Sequence, residues 1–224
     1  DIIGAKFDRE VAPGELIICD RDGIKSLTPF PPAKSRACIF EYVYFSRPDS
    51  IANDRSIYTV RKAIGAKLAR ESFVPADVII PVPDSGTPAA IGYAEESGIP
   101  FELGIIRNHY VGRTFIEPSQ NIRNFGVKLK HNANRAEIIG RRVVLVDDSI
   151  VRGTTSQKIV QMVREAGATE VHMRIASPPT ASPCYYGIDT PNREELLAAN
   201  MDVAAMAKET GVDSLAFISI NGLY

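Results

Sequence analysis

Several things are scarce in this chain, and each shortage excludes a class of protein. Its 224 residues hold three cysteines, Cys19, Cys38 and Cys184. An odd number without close pairing is not a disulfide framework and fits a reducing, cytoplasmic setting. Net charge is only −1, from 26 basic and 27 acidic residues. That balance argues against a dedicated nucleic-acid binder, although local patches can still be basic. No run of roughly 18 uncharged apolar residues occurs, so no membrane-spanning helix is expected. The opening Asp-Ile-Ile-Gly has neither a basic nor an apolar leader region, so no secretory signal is expected. Internal repeats and low-complexity tracts are missing. So is a Walker A loop, because no Gly-Lys-Ser/Thr follows the required spacing.

What is present suits one full domain with an appended piece. Apolar residues make up 45% of the chain, ample for a core. Residues 14–19 and 24–28 are short strand candidates around Asp20-Arg21-Asp22-Gly23, a strong hairpin signal. Pro29-Phe30-Pro31-Pro32 reads as a linker. A lone hairpin is marginal in water and needs a sheet to join. Residues 1–32 are therefore expected to be a remnant of another domain, and residues 33–224 a domain of their own.

Beyond the linker, strand and helix patterns alternate. Strands are expected over 38–45, 77–82, 101–106, 143–146, 171–176 and 215–220. Ile57, Val60, Ile64 and Leu68 form a helical stripe, and Thr87-Pro88 starts a helix ending near Gly98. Further helices are expected over 156–166, 194–199 and 203–209. The alternation predicts an α/β fold: a mostly parallel twisted sheet with helices on both faces, plus the N-terminal β-hairpin.

The most informative stretch is Val143 to Ser156, Val-Val-Leu-Val-Asp-Asp-Ser-Ile-Val-Arg-Gly-Thr-Thr-Ser. An aliphatic run ends in two carboxylates and turns through a hydroxyl- and glycine-bearing loop into an amphipathic helix. Open α/β sheets place ligands at such carboxyl ends of strands. The loop offers N–H groups and hydroxyls to an anion at a helix N-terminus. The neighbouring carboxylates would repel that anion, so they need sugar hydroxyls, a metal ion, or both. A phosphate and a ribose held side by side satisfy both halves. The second loop, Pro81-Val82-Pro83-Asp84-Ser85-Gly86-Thr87, again leads from a buried strand to a helix N-terminus, where small residues let a second anion approach. The third segment, 107–130, lacks an apolar period. It carries Arg107, His109, Arg113, Arg123, Lys128 and Lys130 against one acid, Glu117. Loops this long are usually functional covers or disordered. A basic cover could neutralise phosphoryl groups and exclude water from a hydrolysable glycosyl centre.

The 143–156 run resembles the phosphoribosyl pyrophosphate (PRPP) signature of the type I phosphoribosyltransferases. The resemblance implies that Asp147 and Asp148 contact the ribose hydroxyls. It implies that Ser149, Ile150, Val151, Arg152, Gly153, Thr154 and Thr155 wrap the 5′-phosphate. It makes Asp84, Ser85, Gly86 and Thr87 the pyrophosphate loop, and puts Ser85, Asp147 and Asp148 near Mg2+. Three further runs are similar to the glutamine PRPP amidotransferase family. They are Asn108 to Ile116, the thirteen positions from Cys38 to Ser50, and Tyr186-Gly187-Ile188-Asp189. His109 departs from the Arg usual in that family.

That family implies phosphoribosyl transfer from PRPP to ammonia, drawn from glutamine, giving 5-phosphoribosylamine and pyrophosphate in the first step of de novo purine synthesis. Arg113 would cover the leaving group, and Tyr110 and Phe115 would line an ammonia path. Purine nucleotides are the implied feedback inhibitors, and a homo-oligomer the implied assembly. Family members carry an N-terminal glutaminase domain opening on a catalytic cysteine. This chain opens on Asp1, so it is expected to hold mainly the transferase half, to leave glutamine unhydrolysed and at most to use ammonia. Some members bind a 4Fe–4S cluster through four cysteines, and Cys38 and Cys184 match the first two. Two other classes share the acidic motif: a purine-salvage phosphoribosyltransferase acting on a base, and a non-enzymatic PRPP-sensing module.

Overall fold

The computed structural model describes residues 4–108, 131–185, 190 and 192–223. It contains two compact units, Asp1–Ile39 and Phe40–Tyr224. The first holds the expected hairpin: β1 (Leu16–Asp20) pairs antiparallel with β2 (Gly23–Leu27), Asp20 opposite Gly23. The Asp20 carboxylate ties the turn, accepting from the Asp22 N–H at 2.9 Å and the Lys25 ammonium at 2.7 Å.

The second unit opens with a π-helical turn, Glu41–Phe45. A two-residue ribbon, β3 (Ile51–Ala52) and β4 (Arg55–Ser56), leads into α1 (Ile57–Ser72). There follow β5 (Val78–Pro81), α2 (Thr87–Ser97), β6 (Ile105–Arg107), β7 (His131–Ala133), α3 (Arg135–Ile138) and β8 (Arg142–Asp147). Then come α4 (Thr154–Glu165), β9 (Glu170–Ile175), α5 (Leu197–Asn200), α6 (Val203–Thr210) and β10 (Ser214–Phe217), and a 3-10 turn, Ile220–Leu223, closes the described chain.

Strands β10, β9, β8 and β5 lie side by side in that order, every pair parallel. Phe101 extends the other edge by one parallel bridge to Ile79, held by Ile79 N–H to Pro100 O at 2.8 Å and Glu102 N–H to Ile79 O at 3.0 Å. After β5 the chain therefore steps first to one side of that strand and later to the other. The reversal makes the β5–β8 junction a topological switch point, where a crevice opens at the strands' carboxyl ends.

Alternation along each strand sends side chains to opposite faces, and each face has a core. Val78, Ile80, Val143, Leu145, Val171 and Met173 face Ile159, Val160 and Val163 of α4. Ile79, Val144 and Val146 pack with Ile64 and Leu68 of α1 and Ala89, Ala90 and Tyr93 of α2. Helices cover both faces, which is why β8 reads as a continuous apolar run rather than an alternating one.

Four expectations change. Residues 38–45 do not form a strand. Their aromatic and β-branched content favours one, but the carbonyls of Glu41, Tyr42 and Ser46 are taken by the Arg61 guanidinium instead of a neighbouring strand. The 101–106 strand splits into the single Phe101 bridge and β6, which turns to pair antiparallel with β7. Near the C-terminus, 194–199 becomes a 3-10 turn (Arg193–Glu195) followed by α5, and the last strand stops at Phe217.

Candidate active site at the strand switch point

The two loops singled out by sequence leave adjacent parallel strands on either side of the switch point. Val82 N–H donates to Val146 O at 2.9 Å, so the first loop stays zipped to β8 one residue beyond the end of β5. Gly86 then packs against β8 backbone to backbone, and a Cβ there would overlap the carbonyl oxygen of Val146. Only glycine lets the two loops approach so closely. The first loop ends at α2, whose N-cap, Gly86, provides no side-chain cap.

The second loop begins at Asp147 and Asp148, each 6% exposed. Asp148 N–H donates to the Asp147 carboxylate at 2.9 Å, and Ser149 Oγ donates to the Asp148 carboxylate at 2.7 Å. Burial, with the charge of Asp148 added, pushes the Asp147 carboxyl well above the usual range. A pair in that state gains from hydroxyl donors or a dication placed against it. Ile150 anchors the loop in the core at 2% exposure, while Arg152, Thr154 and Thr155 face solvent. Gly153, at φ 78°, starts α4 without a side-chain cap. The first-turn N–H groups of α4 thus have no competing side chain at the cap, as an anion seat requires.

Asp84 in the first loop forms an ion pair with Arg107 at the end of β6. The other residues named from segment 107–130, Tyr110 and Arg113 among them, lie outside the described residues, as do residues 186–189. Cys38 is exposed, Cys184 half-buried, and neither is in a disulfide. They fall in different compact units.

Sequence reasoning missed Arg61. It lies in the helical stripe with Ile57, Ile64 and Leu68 and is buried at 4% exposure. With Ser85, Asp148, Val43, Ile64, Ala89 and Ala176 it lines a small cavity beneath the two loops. Its signal was a charge at a position where the apolar stripe of α1 calls for a hydrophobic side chain.

Two loops from neighbouring parallel strands, an acidic pair at the end of one and an uncapped helix after each, define a class. The phosphoribosyl transferase domain family matches residues 50–177, and the chain belongs to that family. Over 230 residues it is 67% identical to an amidophosphoribosyltransferase of Rhizobium etli, covering 100% of this chain and 46% of that protein. It is 54% identical to the amidophosphoribosyltransferase of Bacillus subtilis over 223 residues, covering 100% of this chain and 47% of the relative. Among solved structures it is similar to the B. subtilis glutamine PRPP amidotransferase complexed with ADP and GMP. The TM-score is 0.85 at 54% identity, over 99% of this chain and 49% of that one. The chain spans about half the length of the curated relatives it matches.

Proposed function

We propose that this chain transfers the phosphoribosyl group of PRPP to ammonia, releasing pyrophosphate, as the transferase half of an amidophosphoribosyltransferase. The observation that carries this reading is the buried Asp147–Asp148 pair between two anion-seating loops at the β5–β8 switch point. A ribose flanked by a 5′-phosphate and a 1-pyrophosphate has the complementary sequence of groups. Ser149, Thr154, Thr155 and the first-turn N–H groups of α4 hold the 5′-phosphate. Asp84, Ser85, Gly86 and Thr87 receive the pyrophosphate, and Asp147 and Asp148 take the ribose hydroxyls.

Binding energy from the remote phosphate keeps C1 in register. The C1–oxygen bond breaks with its electron pair leaving on pyrophosphate, the ammonia lone pair forms the C1–N bond, and the surplus proton goes to solvent. As C1 gains cationic character, the fixed negative charge of the acidic pair stabilises it. Arg113 and Tyr110 keep the covering and ammonia-path roles that their sequence match implies.

Magnesium fits the residues present. Among the described residues no group of three or more His, Cys, Asp and Glu converges on one point. Mg2+ commonly needs only one or two carboxylates when substrate phosphates complete its shell. Ser85, Asp147 and Asp148 would hold it, and the ion would neutralise the departing pyrophosphate. A 4Fe–4S cluster does not fit this chain alone, because Cys38 and Cys184 supply two thiolates where four are needed. Purine nucleotides present the same ribose 5′-phosphate as the substrate and would compete for its seat. The glutaminase partner domain and a homo-oligomeric assembly belong to the same reading.

The test is pyrophosphate release from Mg-PRPP with ammonia, glutamine or purine bases as acceptor. Turnover is expected with ammonia alone, and added GMP should raise the apparent KM for PRPP. Base-dependent turnover would make the chain a salvage enzyme. PRPP binding without turnover under any acceptor would make it either a sensor or a half that turns over only with the glutaminase domain attached.

A further inference from the structure

A cation buried under a sugar-phosphate site demands a reason. Arg61 Nε donates to Tyr42 O at 2.7 Å, and Nη2 donates to Ser46 O at 2.7 Å. These bonds gather the carbonyls of the π-helical turn Glu41–Phe45 and of the residue after it onto one side chain of α1. Carbonyl oxygens satisfy N–H groups but do not cancel a charge, and a buried cation without a counter-charge is costly. Asp148 is the carboxylate whose charge acts on it, without a direct ion pair, and both residues line the cavity shared with Ser85. A lysine could supply charge but not the planar fork that reaches two carbonyls at once.

We propose that Arg61 is a positioning residue for phosphoribosyl transfer: it clamps the 41–46 turn against the substrate site and sets a fixed positive charge at the cavity that it lines together with Asp148. This role rests on the PRPP reading given above. The guanidinium gives its hydrogen bonds to the carbonyls of Glu41, Tyr42 and Ser46 rather than to the two anion-seating loops. Its removal should therefore spare the phosphate anchors that dominate ground-state binding and weaken the placement that counts when charge develops at C1.

The experiment compares wild type, Arg61→Lys and Arg61→Met in ammonia-dependent pyrophosphate release, with melting temperature and circular dichroism measured alongside. Arg61→Met is expected to lower kcat about 100-fold while the KM for PRPP stays within about threefold. Arg61→Lys, which keeps the charge, should recover about tenfold of that loss. Should Arg61→Met fail to fold, the lysine variant decides alone: about a tenfold lower kcat at unchanged KM and a native spectrum supports the role. A folded Arg61→Met within about twofold of wild-type kcat overturns it. So does a lysine variant as impaired as the methionine one, with losses that track melting temperature. If wild type neither binds nor turns over PRPP, the PRPP reading fails and this role goes with it. If wild type turns over and the variants match it, the role of Arg61 alone fails.

Discussion

Two carboxylates at 6% exposure, adjacent in sequence, are an expensive arrangement in a protein without ligand. Burial and mutual repulsion both favour the protonated form of Asp147. Evolution has no packing reason to keep such a pair, because replacing buried charge by apolar residues is often neutral or stabilising. Asp148→Asn keeps the shape and, on the function proposed above, removes one charge from the place where C1 becomes cationic. Turnover should fall by about 10² or more, since losing one preorganised electrostatic partner typically costs that much. Steady-state kinetics of PRPP turnover read it, and unchanged kcat and KM would take Asp148 out of the ribose role. The acidic pair was legible in the sequence because strand, carboxylates and loop are contiguous. Arg61 was not, because the carbonyls it binds, of Tyr42 and Ser46, and the Asp148 with which it lines a cavity are 15 to 87 residues away along the chain.

At the scale of elements, α1 and α2 pack through a pair of glycines. A Cβ on Gly65 would overlap the Ala89 carbonyl, and one on Gly92 would overlap the Lys62 carbonyl. The helices thus meet backbone against backbone, and α2 begins where the 81–87 loop ends. Gly65→Ala must push the helices apart. Overpacking of this kind costs about 1–3 kcal/mol, partly offset by the better helix propensity of alanine. Denaturant unfolding should show the loss. Because α2 carries Gly86 at its N-cap, the KM for PRPP should rise as well. Wild-type stability and KM in this variant would mean that the contact is looser than the packing shown. The helices themselves were foreseeable from the stripe 57, 60, 64, 68 and from Thr87-Pro88, while their separation was not. A glycine in a helical pattern says that something comes close without saying what.

For the molecule as a whole, the end of the sheet opposite the site has its own fastening. Asp77 precedes β5, and its carboxylate accepts from Arg142 N–H at 2.8 Å, Nε at 3.1 Å and Nη2 at 2.8 Å at the start of β8. The Arg142 guanidinium and backbone N–H hold the Asp77 carboxyl at about 2, below its ordinary 3.8. A carboxyl depressed by folding contributes stability that is present above its unfolded value and disappears as pH falls through the folded one. The stability gap between wild type and Asp77→Asn should therefore be constant above pH about 5, shrink between pH about 4 and 2, and vanish below. Chemical unfolding across that range measures it, and a gap independent of pH would refute the ion-pair origin. Activity at neutral pH should be untouched, since this pair lies at the opposite ends of the strands from the two loops.

The sequence by itself determined the class of fold, the hairpin, the buried strand β8 and the two loops that follow β5 and β8. Each of those rests on a local pattern: an apolar run, a turn signal, carboxylates next to a glycine-bearing loop. Tertiary structure alone decided that β5 and β8 are neighbours across the switch point, so that the two loops share one crevice. It also turned residues 41–45 from an expected strand into a π-helical turn, and it gave Asp84 to Arg107 and the carbonyls of Tyr42 and Ser46 to Arg61. The physical reason is one of range. Side-chain periodicity is set within a few residues, whereas a charge, a carbonyl or a close backbone approach takes whatever partner the folded sheet brings to it.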